Sequence, residues 1–136
     1  MNTGIGTCFA TPSDYNAYRK AKAEGKTDEE AFAMGDNCIG CWGDRTNGSQ
    51  AICALPPETM AETWGSLASA KHKPVLVTYN GKSFECIVGD VMPHRANITN
   101  GAIIDMNPAL CAGLGLPDEN VSVIVTWGQV QKAETV

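Results

Sequence analysis

The chain has 136 residues, 43% hydrophobic and 18% charged, with a formal net charge of −5; that is too apolar for a disordered chain and long enough to bury one core. The acidic balance, with no basic run beyond "YRKAK", argues against electrostatic capture of a nucleic-acid backbone. No apolar stretch approaches the roughly 20 residues that cross a bilayer as a helix, and "MNTGIGTCFATPSD" lacks the basic start and apolar core of a secretion signal.

Taken in chain order, "IGTCFA" predicts a short strand. Thr11-Pro12-Ser13-Asp14 then supplies turn and cap chemistry for a helix over "SDYNAYRKAKAEG", begun at Ser13 and ended at Gly25. Thr27 and Glu30 have capping-box spacing ahead of "DEEAFAM", so a second helix follows at once and closes at Gly35. The segment "DNCIGCWGDRTNGSQ" is rich in Gly, Asn and Asp and reads as an irregular loop. A strand, "AICAL", comes next and is stopped by Pro56-Pro57, where "PETMAETWGSL" starts a short helix with proline in its first turn.

"PVLVTYNGKSFECIV" alternates in character on both sides of Asn80-Gly81 and predicts a hairpin, with Val75, Val77 and Tyr79 on one face and Phe84, Cys86 and Val88 on one face. The second strand is expected to turn at Gly89-Asp90 into a polar loop. Beyond it, "AIID" is a strand, "NPALCAGLG" a helix capped by Asn107 with Pro108 first, and "VSVIVTW" a last strand. About six strands with short helices between them make a β-rich fold, either a barrel or a small α+β sheet, in one domain over 1–136.

Six cysteines (Cys8, Cys38, Cys41, Cys53, Cys86, Cys111) form an even set, which predicts disulfides and an oxidising compartment. Fifteen pairings are open, and Cys53 with Cys86 is attractive because both lie on core strands. "CIGC" at 38–41 has no second close pair or histidine cluster at zinc spacing, and it precedes no βαβ unit of the kind that carries a redox motif. No metal and no cofactor are expected.

Three segments in order, "ICALP", "VLVTYNGKSFECIVGDVMP" and "AIIDMNPALCAGLGL" followed by "VSVIVTW", resemble the double-psi β-barrel of the rare-lipoprotein-A, expansin and barwin superfamily. The resemblance covers most of residues 50–127. It implies a six-stranded double-psi barrel with short helices, a helical insertion at about 13–35 after the first strand, and a polysaccharide groove floored by Asp90 and Asp105. The acid matching Asp105 is the one most tied to activity in expansin-like members, and the acid matching Asp90 in wall-cleaving ones. One departure stands out: where lytic-transglycosylase-like members place a histidine three residues before Leu-Pro, this chain has Ile52.

Glycosidic cleavage needs an acid for the leaving oxygen, and inverting hydrolysis a second carboxylate roughly 6.5–9.5 Å away. A lytic transglycosylase needs one, and Asp90 alone meets that. The plainer role for Asp90 is to cap a turn, and for Asp105 to hold the start of the following helix. Apolar neighbours, Met92 among them, are what would raise an acid's pKa here. Trp42 and Tyr79 offer faces on which sugar rings stack, and His94 and Arg95 lie in the loop between the acids.

The expected function is therefore cleavage of a cell-wall polysaccharide, peptidoglycan above all, of lytic-transglycosylase or glycosidase type. The catalytic residues would be Asp90 and Asp105, with Trp42, Tyr79, Met92, His94 and Arg95 binding substrate. The alternatives are a non-catalytic expansin- or barwin-like glycan-binding module, or a protein-binding barrel of protease-inhibitor type. The chain is expected to be monomeric and to act outside the cell or at the wall, released through a phage-type lysis pore.

Overall fold

In the computed structural model, residues 1–117, 119 and 121–130 are described. The strands are β1 (Asn2–Cys8), β2 (Ile52–Leu55), β3 (Pro74–Tyr79), β4 (Lys82–Val91), β5 (Ala102–Met106) and β6 (Ser122–Gln129). They close into a barrel in the ring order β1-β5-β2-β4-β3-β6. Two neighbouring pairs, β1 with β5 and β2 with β4, are parallel; the other four are antiparallel. Exchanging β1 with β4, β2 with β5 and β3 with β6 returns the same ring, so the barrel is two interlocked halves, each with one parallel pair. That is the double-psi arrangement, and it leaves no open sheet edge.

Alternation along the strands fills the interior. Cys53 and Leu55, Val75 and Val77, Cys86 and Val88, Ile104 and Met106, and Val125 and Trp127 are all buried in one cluster. Trp127 stacks on Trp64 at 6.4 Å between ring centres. The β3–β4 hairpin turns at Asn80 (φ 49°) and Gly81 (φ 82°), both left-handed, as a type I′ turn requires. Tyr79 is partly buried against the core, while Phe84 lies 40% exposed with its ring against Gly113.

The helices α1 (Pro12–Ala23) and α2 (Asp28–Met34) pack on each other as the insertion after β1. The first cap is Thr11, two residues before the expected Ser13: its hydroxyl accepts from the Asp14 amide, and Asp14 answers to the Thr11 amide. Pro12 has no N–H to spend and fits the first helical position, which moves the start upstream. Thr27 and Glu30 form the expected box. Helices α3 (Pro57–Trp64) and α4 (Leu67–Ala70) link β2 to β3, and α5 (Pro108–Gly113) follows β5. No helix among the described residues is long and apolar enough to cross a membrane.

Asn107 holds these pieces together. Fully buried, it caps α5 by accepting from the Leu110 amide, accepts from the Ile52 amide at 2.9 Å, and donates to the carbonyls of Thr46 and Gln50, each at 2.8 Å. One side chain thus fastens the 36–50 loop, the start of β2 and α5.

A disulfide joins Cys8 at the end of β1 to Cys111 in α5. The attractive pairing of Cys53 with Cys86 is not made. Both are free thiols, wholly buried on neighbouring strands. Cys53 pairs in register with Val88 and Cys86 with Val75, so the two are diagonal rather than opposite. Cys38 is buried and free, and Cys41 exposed and free.

Candidate functional site

The two acids come together because of a bulge. Strand β4 does not turn at Gly89-Asp90, as the sequence reading has it, but runs on to Val91. Its register against β2 shifts there: Cys53 pairs with Val88, and Ala54 with Asp90, leaving Gly89 as the extra residue. Without the bulge Asp90 would point into the core; with it, Asp90 shares the outer face with Ala54. Only glycine fits the bulge, since a Cβ on Gly89 would lie 2.7 Å from Ile52 Cγ2.

On the other side of β2, Ala54 pairs with Asp105, and Asp105 pairs with Thr7 on β1. The outer face therefore carries a row, Thr7-Asp105-Ala54-Asp90, across four adjacent strands. The acids sit two strand spacings apart, ~9–10 Å between their Cα atoms, with only a methyl group between them.

Each acid has partners. The Thr7 hydroxyl donates to Asp105 Oδ1. Burial pushes the Asp105 carboxyl up to about 6, against the lowering effect of that hydroxyl, and the nearby charges of Asp90, Asp36 and Asp14 raise it further. Asp90 Oδ1 accepts from the Cys41 amide at 3.0 Å and the Val91 amide at 2.8 Å. Burial raises its pKa too, but these two N–H groups hold it down. Asp105 thus has one donor opposing the effect of burial, where Asp90 has two.

The bond from Cys41 fixes the 36–46 loop over β4. Gly40 lies so close to Gly89 that a Cβ there would come 2.1 Å from the Gly89 carbonyl oxygen. Asp36 bends the loop by accepting from the Cys38 amide at 2.7 Å, and burial raises its carboxyl. Trp42, half-buried, packs on the core and sets its ring edge-on to His72, 6.3 Å between centres.

Met92 is 5% exposed and packs with Ala54 and Ala102 on the outer face, flanked by Ile5, Phe9 and Ile98. It also lines a cavity of about 210 Å³ beside Asp105, with Asn97, Ile98, Thr99 and Asn100. Ile98 is shared with a larger cavity of about 500 Å³, bounded by Pro56, Thr59, Arg95, Ala102 and Trp127. A third, about 410 Å³, lies the other way along β2 over Ile52 and Ile87. Residues 52, 54 and 56 thus run from one cavity past the acids to another, spanning ~13 Å.

His94 and Arg95 brace the acid loop against α3. His94 Nδ1 meets Glu58 Oε2 at 2.9 Å, the Arg95 amide donates to Glu58 Oε1 at 3.1 Å, and the Arg95 guanidinium engages Glu62 and Thr59. Backbone N–H groups and His94 hold Glu58 down at about 2. Tyr79 is not brought to the acids: it starts the hairpin at the far end of β4, ~25 Å along the strand from Asp90. Among the described residues, no three His, Cys, Asp or Glu side chains converge as metal ligands.

The sequence reading passed over Thr7, Gly40, Asp36 and the bulge at Gly89, and weighed Cys41 only for its thiol, not for the amide that reaches Asp90. A signal for the bulge was present: inward residues spaced by two, Cys86 and Val88, then by three to Val91, with glycine in the gap.

Fold and site together define a six-stranded double-psi barrel with two acids in a row across its outer face. Among solved structures the chain is similar to a Streptomyces papain inhibitor, at 18% identity over 93% of this chain and 92% of that one, with a TM-score of 0.49. No protein-family model matches the chain, and no curated protein does.

Proposed function

We propose that the groove along β2 binds a cell-wall glycan and that Asp105 donates the proton to a glycosidic oxygen. The observation that carries this reading is a partly buried carboxyl, raised to about 6, at the mouth of a cavity in line with two others. An acid that is half protonated near pH 6 can protonate a leaving oxygen and then, as carboxylate, take the proton of an attacking hydroxyl. If that hydroxyl is the sugar's own, one acid suffices, and an anhydro sugar results. Asp90, which accepts from the Cys41 and Val91 amides, positions the 36–46 loop, and its carboxylate form offers negative charge opposite the oxocarbenium-like centre. The wall as place of action fits the Cys8–Cys111 disulfide, which requires an oxidising compartment to form.

A second reading, a glycan-binding module without cleavage, is favoured by Ile52, an apolar side chain where wall-cleaving members of the resembled superfamily carry a histidine. Peptidoglycan clearing by wild type, Asp105→Asn and Asp90→Asn, with mass analysis of products and co-sedimentation with purified wall, separates the two. The proposal expects anhydro products from wild type and none from Asp105→Asn, which still sediments. Sedimentation without clearing by wild type selects the binding module. Neither clearing nor sedimentation removes the glycan and leaves a protein-binding barrel whose acids are structural.

A further inference from the structure

The cavity over Ile52 and Ile87 has a wall unlike the rest of the groove. Its floor is apolar, two isoleucines paired in register across β2 and β4. Its rim carries Asp44, Arg45, Gln50 and His72. His72 is held in a left-handed backbone conformation, φ 60°, which a residue with a Cβ adopts only when its surroundings enforce it. Its amide donates to the Val88 carbonyl at 2.9 Å, and its Nε2 lies 2.6 Å from Asp44 Oδ2. Asp44 is thereby occupied within the protein.

Arg45 is prepared differently. Its Nε donates to Asn47 Oδ1 at 2.9 Å, and its aliphatic stem lies against Gly48. Among the described residues it has no carboxylate partner, whereas Arg95 and Lys22 both have one. A guanidinium with one N–H edge pinned by a neutral amide keeps its remaining donors in a fixed plane, the arrangement that takes a carboxylate with two parallel hydrogen bonds. Of the residues that line this cavity, Arg45 is the one arginine or lysine.

We propose that this cavity is a second subsite, which takes a carboxylate-bearing side group of the glycan whose backbone lies over Ala54. The inference rests on the glycan reading above. Ile52 is two residues from Ala54 on the same outer face, ~6–7 Å along the strand, a reach suited to a substituent one bond path off the main chain. The apolar floor receives the body of the group and Arg45 its carboxylate.

The test is calorimetric titration of the full chain with two probes: a neutral chitin oligosaccharide, and a muropeptide oligomer in free-acid and amidated forms. Wild type is expected to bind the free-acid form about tenfold or more tightly than the amidated form, the size of one charge-assisted pair. Arg45→Gln should abolish that preference and leave the neutral oligosaccharide unaffected. Gln50→Glu, which adds repulsion at the rim without touching Arg45, should reverse the preference. Equal binding of free-acid and amidated forms by wild type, or loss of the neutral probe in Arg45→Gln, overturns the subsite while the glycan reading stands. No binding of either probe overturns both.

Discussion

At the scale of single residues, the site is a contrast between two aspartates given different environments. Burial raises both carboxyls; Asp105 meets one hydroxyl and three like charges, Asp90 two amides and one like charge, Asp36. The raised carboxyl has a consequence for stability. The folded chain binds this proton more tightly than the unfolded chain, so the contribution of Asp105 is most favourable below the ordinary 3.8 and is lost as the pH rises through about 6. Asp105→Asn should therefore be more stable than wild type at pH 7, by up to about 3 kcal/mol for a shift of roughly two units, with the difference vanishing near pH 4; urea denaturation across that range measures it. Thr7→Val should raise the Asp105 pKa above about 6, because the donated hydroxyl favours the ionised form, and carboxyl-carbon NMR titration reads the shift. Both aspartates are evident in the sequence as acids closing apolar runs. How each is held is not, because Thr7 and the Cys41 amide reach them from 98 and 49 residues away.

At the scale of elements, local chemistry was legible wherever it was local. Asn80-Gly81 turned as its left-handed preference requires, and Asn107 and Thr27 capped the helices that follow them. Errors lay where a distant partner decides. β4 passes through Gly89-Asp90 because β2 supplies a ladder partner there, and the 36–46 loop is shaped by contact of Gly40 with Gly89. Gly40→Ala should cost about 1–3 kcal/mol and, by lifting the Cys41 amide from Asp90, raise the pKa of Asp90; denaturation and NMR titration of the same sample test both. Asn107→Leu removes four hydrogen bonds and strands the buried Thr46 carbonyl and the Ile52 and Leu110 amides, so its expected cost is about 3 kcal/mol or more. A much smaller loss of stability would mean that the loop is held by other contacts.

At the scale of the whole molecule, the exchange that maps the barrel onto itself also maps the row Thr7-Asp105-Ala54-Asp90 onto its own reverse. The site lies across the axis between β2 and β5, and the sequence breaks the symmetry there by setting Ala54 opposite Asp105. The resemblance in the second half of the chain made the ring legible, while nothing in the sequence marked which cysteines meet. Native alkylation should label Cys41 alone among the four free thiols, with Cys38, Cys53 and Cys86 reacting only after unfolding: all three are buried, and burial first of all pushes Cys38 up to about 12. Reduction of the Cys8–Cys111 bond, which closes a loop with a separation of 103 residues, should lower stability by about 2–5 kcal/mol.

The central claim, that Asp105 acts as proton donor, is tested most directly by the pH profile of kcat/KM for peptidoglycan clearing in wild type and Thr7→Val. The account predicts a rate that falls as the pH rises through about 6 in wild type, and the same descending limb moved to higher pH in Thr7→Val. A limb that stays in place when the hydroxyl is removed, or the absence of clearing at every pH, would contradict it.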